Sequence, residues 1–226
     1  MAQIDKNTVK ADNQLDESKR ISFECEGRKG KRILFVGNSI TRHAPKSSIG
    51  WNNDWGMAAS SKEKDYVHMA KEMILCNAPD STFCICQMAD WEKNYTEGEN
   101  QLTAFEKARN FNADIIVMRL IENCQSRTFD EEIFVQEYNN LLSYLKMNEN
   151  ARVIITSSFW IHPGDKILER IAQSIGADFV YLGDLGEDAA MRADGLFEHA
   201  GVAAHPGDKG MQVIAERIYD KMKKYL

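Results

Sequence analysis

From residue 33 onward, short apolar runs alternate with amphipathic stretches. The runs fall at Ile33–Val36, Thr82–Cys86, Asp114–Met118, Val153–Thr156 and Phe179–Leu182. Each is nearly continuous rather than alternating, as a strand covered on both faces should be. Helical spacing governs the segments between them. Tyr66, Val67, Met69, Ala70, Met73 and Ile74 form one stripe; Ile133, Phe134, Tyr138, Leu141, Leu142 and Leu145 form another. A third runs through Ile167, Leu168, Ile171, Ala172 and Ile175 and is closed by Gly176, and a fourth through Met211, Ile214, Ala215, Ile218 and Met222. Such stripes face a core. The alternation predicts an α/β protein of three layers, α/β/α, built on a flavodoxin-like parallel sheet of five strands in the order 2-1-3-4-5.

That order has a local consequence. Strands 1 and 3 become neighbours, and the crevice opens where the winding reverses. Residue 39, which ends strand 1, and residue 123, just past strand 3, should then meet. Residues 42–61 are long for a βα loop and carry Trp51 and Trp55, which suggests a pocket wall or lid. Residues 1–28 read as a leader, mobile or loosely docked, and 29–226 as a single domain.

Composition narrows the partners. A chain of 226 residues is long enough to bury a core without disulfide staples. A net charge of −6 supplies no basic field, so nucleic acid is not an expected partner. No apolar run approaches the ~18 residues that span a bilayer, so a membrane is not expected either. Cys25, Cys76, Cys84, Cys86 and Cys124 make an odd count without zinc-like spacing, and Cys84 and Cys86 read as packing residues of one strand. No metal or cofactor is expected. The first thirty residues lack the apolar centre of a secretory signal, which points to the cytoplasm, with an exported and processed protein as the alternative.

Candidate chemistry gathers at two places. Gly37-Asn38-Ser39-Ile40-Thr41 follows the first apolar run directly. A strand that stops at Gly-Asn-Ser sets a hydroxyl at the carboxyl edge of the sheet, where a base could activate it and backbone N–H groups could receive negative charge. Turn formation or helix capping is the simpler use of the same residues. Near the other end, His205-Pro206-Gly207-Asp208-Lys209 precedes the last helical stripe. A serine hydroxyl is a poor nucleophile without a nearby imidazole, and Ser39 with His205 would be such a pair. The same five residue types recur at His162–Lys166, also before a stripe, where capping chemistry accounts for them.

With these blocks the chain resembles the SGNH hydrolases, also called GDSL-like esterases and lipases. Ile33 to Thr41, Glu122-Asn123 after Ile115 to Arg119, and His205 to Met211 carry the resemblance, which spans residues 32 to about 222. It implies that Ser39 is the nucleophile, His205 the base and Asn123 an oxyanion donor. Two positions depart from the family pattern. The aspartate expected three residues before the histidine is Val202, so a backbone carbonyl, Glu198, Asp194 or Asp184 must orient the imidazole. The oxyanion glycine expected after strand 2 is missing from Gln87-Met88-Ala89-Asp90, leaving the N–H of Ala89 or Asp90, or Gly56 from the long loop.

Substrate signals are fewer. Trp51, Trp55, Trp91 and Trp160 fall in loops or just past strands, where flat rings suit sugars or simply pack. Arg119 could bind an anion or pair with local acids. The expected function is therefore a serine ester hydrolase acting by acyl transfer on short acyl groups, such as acetyl on a carbohydrate. The alternative is a noncatalytic module that binds a glycan or small molecule on the same scaffold.

Overall fold

The computed structural model describes residues 20–125 and 127–226, and the backbone alone of residues 99 and 100. One central sheet carries the strands β1 (Ile21–Glu24), β2 (Arg32–Gly37), β3 (Thr82–Gln87), β4 (Ile115–Arg119), β5 (Arg152–Thr156) and β6 (Asp178–Val180). Their spatial order is β1-β3-β2-β4-β5-β6. The strands β2 to β6 run parallel, and β1 pairs antiparallel with β3.

Two expectations need correcting. The sheet has six strands and is mixed, not five-stranded and parallel, and its order gains a member beyond β3. That strand comes from what read as a loosely docked leader: Ile21 pairs with Cys86 and Glu24 with Phe83 along the edge of β3. Ile21 is buried there, and the ring of Phe23 lies 5.8 Å from that of Phe111. Residues 1–19 of the expected leader lie outside the described residues. The last run is also shorter than expected, because the chain leaves the sheet after Val180 and exposes Tyr181.

Alternate residues of the central strands feed two cores, as side chains on successive strand positions must. Leu34, Val36, Cys84, Cys86, Ile116 and Met118 face one way. They meet the helices α2 (Ala89–Asn94), α3 (Glu106–Asn110), α4 (Glu131–Leu145) and α5 (Asp165–Ile175). Ile33, Phe35, Phe83, Ile85, Ile115 and Val117 face the other way, onto α1 (Tyr66–Asn77) and α7 (Asp208–Met222), with the short α6 (Ala200–Ala203) just before α7. Each fully buried Leu, Ile or Phe contributes about 1.5–3 kcal/mol, so these two layers hold the sheet. The helix starts follow from the sequence. Asp65 caps α1 by accepting from the His68 N–H at 2.8 Å, and Asp130 caps α4 by accepting from the Ile133 N–H at 3.0 Å. Gly176 ends α5 at φ 68°, a left-handed conformation that glycine adopts without strain. Among the described residues, no helix is long and apolar enough to cross a membrane.

Pairing of Gly37 with both Gln87 and Arg119 brings the carboxyl ends of β3, β2 and β4 level. Whatever follows those three strands shares one rim.

Candidate active site

β2 ends on Gly37 because nothing larger fits. A Cβ there would lie 1.9 Å from the Thr41 hydroxyl oxygen. The chain then turns tightly: the N–H groups of Thr41 and Arg42 both donate to the Asn38 carbonyl at 3.0 Å. Ser39 stands at the top of this turn, and its own carbonyl accepts from the Met57 N–H at 2.9 Å, which ties the long loop to the candidate nucleophile.

His205 arrives from the other end of the chain on an equally constrained support. Its carbonyl accepts from the Ala193 N–H at 2.9 Å, and Gly207 N–H donates to the Met191 carbonyl at 2.9 Å. Pro206 fixes the next turn, and α7 starts at Asp208. The result places His205 Nε2 2.8 Å from Ser39 Oγ. The other ring nitrogen, Nδ1, lies 2.6 Å from the Gly201 carbonyl oxygen. A carbonyl only accepts, so Nδ1 carries the hydrogen and Nε2 presents its lone pair to the serine hydroxyl. Burial pushes the imidazole down to about 4, against the pull of the Gly201 carbonyl and with help from His43 and Arg119. The ring is therefore neutral at pH 7, the form that can take a proton. Trp160 covers it edge to face, with ring centroids 5.2 Å apart.

A backbone carbonyl thus orients the imidazole, and the three acidic candidates are set aside. Asp194 binds Arg192, Asp184 binds Arg217, and Glu198 lies exposed without a bond to the ring. Val202, at the position where an aspartate was expected, is fully buried in a cluster with Trp51, Met57, Ala58 and Ala193. Its side chain belongs to a core, so a carboxylate there would be a buried charge.

The third rim segment follows β4. Asn123 Nδ2 donates to Glu92 Oε2 at 2.5 Å. The same carboxylate accepts, on Oε1, from Asn38 Nδ2 at 3.1 Å and from the Ile121 N–H at 2.5 Å. Glu92 therefore bridges the candidate oxyanion asparagine to Asn38, the residue before Ser39. Asn38 Nδ2 also reaches Glu122 Oε2 at 2.6 Å, while Asn38 Oδ1 accepts from Arg119 Nη1 at 3.2 Å. Arg119 closes the cluster by donating to Glu122 Oε1. This polar floor lies under the Ser39 turn, with Asn38, Glu92 and Arg119 all fully buried.

The remaining backbone donors divide clearly. The Ser39 N–H makes no hydrogen bond among the described residues, nor does that of Asp90 in the first turn of α2. The Ala89 N–H makes only a long contact, 3.4 Å, to Gln87 Oε1. Gly56 is excluded, because its N–H donates to Asp65 Oδ2 at 3.0 Å. Its lack of a side chain serves packing instead, since a Cβ would sit 2.5 Å from the Ile40 carbonyl oxygen.

Of the substrate-binding candidates, Arg119 is occupied with Glu122 and Asn38 and reaches no solvent. Trp51 and Trp91 are also core residues, the latter packed against Tyr95, Phe134 and Tyr138. Trp55 is half-buried and donates to the Ala59 carbonyl at 3.0 Å. Trp160 is the tryptophan that packs against His205. Open cavities of about 470 and 350 Å³ lie at the opposite, amino end of the strands, around Lys31 and Asp114 and around Arg152 and Tyr225. Neither holds a nucleophile–base pair. Glu92 had no role in the sequence reading. The available signal was an acidic residue beside Ala89 and Trp91 on a helix turn that is buried throughout.

No protein-family model matches the sequence, and no curated protein matches it. Solved structures do share the fold. Esterase EstA from Pseudoalteromonas sp., in a structure inhibited by monoethylphosphonate, aligns with a TM-score of 0.58 at 14% identity over 86% of this chain and 98% of its own. A family two carbohydrate esterase from Cellvibrio japonicus aligns with a TM-score of 0.55 at 14% identity, over 86% of this chain and 61% of that one. A member of the lipolytic G-D-S-L family from Veillonella parvula DSM 2008 aligns with a TM-score of 0.52 at 12% identity, covering 85% and 98%. The chain has the fold of GDSL-type esterases and lipases, the one its sequence resemblance implied.

Proposed function

We propose that this protein is a serine ester hydrolase that works by acyl transfer. The observation that carries the reading is the 2.8 Å contact between Ser39 Oγ and a neutral His205 Nε2. In this scheme Ser39 attacks the ester carbonyl while Nε2 takes its proton. The oxyanion is held by the Ser39 N–H, an Asn123 Nδ2–H and the N–H of Ala89 or Asp90. Collapse of the intermediate expels the alcohol, which receives the proton from Nε2. Water then repeats the sequence in reverse roles and frees the acid.

The dyad has a cost. The Gly201 carbonyl fixes the tautomer as a carboxylate would, yet carries only a partial charge to stabilise the imidazolium that forms. Short acyl groups on a carbohydrate are the proposed substrates. Trp160, half-buried, lies against the imidazole of the reacting pair, and one fold neighbour is a carbohydrate esterase by name.

The test is hydrolysis of p-nitrophenyl acetate, paired with labelling by a fluorophosphonate. Wild type should turn over and label. Ser39→Ala should lose about 10³-fold or more in kcat and all labelling. Equal turnover by the two proteins would end the reading, and an unlabelled wild type would favour a noncatalytic binding module.

A further inference from the structure

We infer that Glu92 is a positioning residue of the oxyanion site: its carboxylate holds the Asn123 amide with the nitrogen, not the oxygen, available to the reacting centre. This rests on the proposed role of Asn123.

The two ends of an asparagine amide are nearly equal in shape and opposite in hydrogen bonding. Rotated by half a turn, Asn123 would offer an acceptor to an oxyanion and repel it. An ionised carboxylate accepts only, so Glu92 Oε2, 2.5 Å from Asn123 Nδ2, opposes that rotation. One N–H of the amide is committed to Glu92, and the second remains for the substrate. Glu92 is itself well fixed. It is fully buried, and Oε1 receives the Ile121 N–H and Asn38 Nδ2. Because Asn38 precedes Ser39, the same carboxylate sets both the nucleophile turn and its oxyanion partner.

The charged and titratable surroundings add a switch. From the end of β4 the cluster includes Glu122 and Arg119, from the following loop Cys124, and from α4 the buried Tyr138 hydroxyl. Of the two carboxyls, Glu122 is the one paired with the Arg119 guanidinium. Burial, followed by the Glu122 charge, pushes Glu92 up to about 7, although Asn123, Asn38 and the Ile121 N–H all favour its anion. A protonated Glu92 must donate, and the group able to accept is the Asn123 carbonyl turned inward. Ionisation of Glu92 should therefore switch the oxyanion site on as pH rises.

The experiment is the pH profile of kcat and kcat/KM for p-nitrophenyl acetate, followed as acetate release. It compares wild type with Glu92→Gln, Asn123→Ala and the double variant. The amide introduced by Glu92→Gln can donate to an inward-turned Asn123, so this variant should lower kcat about 10- to 100-fold with KM within about twofold. The wild-type rise near pH 7 should vanish in Glu92→Gln, a change that a merely structural role would not produce. On the Asn123→Ala background, Glu92→Gln should add almost nothing. A rise near pH 7 that persists in Glu92→Gln, or full kcat in that variant while Asn123→Ala is impaired, overturns the inference and leaves the esterase reading intact. Wild-type activity in both Asn123→Ala and Ser39→Ala would instead remove the reading beneath it. If Glu92→Gln does not fold, the wild-type profile decides: a kcat that stays flat from about pH 5 to about pH 9, with no rise above the usual carboxylate range, overturns the inference.

Discussion

The chain spells His-Pro-Gly-Asp-Lys twice, and the fold uses the two copies differently. At residues 162–166 the motif is closed on itself. His162 Nδ1 accepts from the Gly164 N–H at 3.0 Å, and Nε2 donates to the Cys124 carbonyl at 3.1 Å, so both ring nitrogens are spent. Asp165 turns back to take the His162 N–H and the N–H and hydroxyl of Ser158. At residues 205–209 the motif opens outward. His205 uses one nitrogen on Gly201 and points the other at Ser39, while Asp208 reaches across to Ser60 and Lys64. Each imidazole even has an aromatic ring at right angles, Phe129 for one and Trp160 for the other. The five letters set a turn and a helix start in both places. Chemistry comes from where the turn lands relative to β2.

The largest break in this comparison comes from the two histidines. His205→Ala should lower kcat on p-nitrophenyl acetate about 10³-fold or more, whereas His162→Ala should keep kcat within about twofold and lose about 1–3 kcal/mol of stability, read by urea melts. Comparable losses of activity in both would mean that the copies share one task. A pH titration sharpens the contrast next. In the proposed scheme His205 acts as the neutral ring, and burial holds its pKa at about 4, so in Glu92→Gln, which lacks the rise set by Glu92, kcat/KM should fall about tenfold per unit only below that value. An acid limb at 6 or above in that variant would show that the ring is more solvated than its setting beside Trp160 implies. The aspartates give the smallest effect. Asp165→Ala leaves the Ser158 and His162 donors unpaired around a buried site and should cost about 2–3 kcal/mol, against about 0.5–1 for Asp208→Ala, whose partners are exposed. Denaturant midpoints of the two variants measure the difference.

Much of this was legible beforehand. The relative order of the parallel strands followed from alternation alone, and with it the meeting of β2 and β4 ends. The edge strand was not, because Ile21-Ser22-Phe23-Glu24 offers only two apolar positions in a polar setting, too few to separate from coil. Ser39 and His205 stood out because each ends or begins an element. Glu92 did not, since its partners at 38, 121 and 123 are distant in the chain and only the sheet brings them to it. For Trp51 and Trp91 the packing alternative holds, and chain position alone could not choose it because that position does not reveal burial. The group orienting His205 was hidden for a simpler reason: every residue has a carbonyl, so no sequence pattern marks the one that acts.

The antiparallel edge strand has a consequence beyond the site. A parallel strand as apolar as β3, left at the border of its sheet, would offer an open row of N–H and C=O groups to a second molecule. β1 occupies that row. It is only four residues long and ends in Glu24, which is gripped by His68, Lys62 and Lys71. Among the described residues the border is thus short and charged, a poor template for growth. Removing Ile21–Glu24 should turn a well-behaved surface into a sticky one, and self-association rather than lost catalysis would be its first symptom.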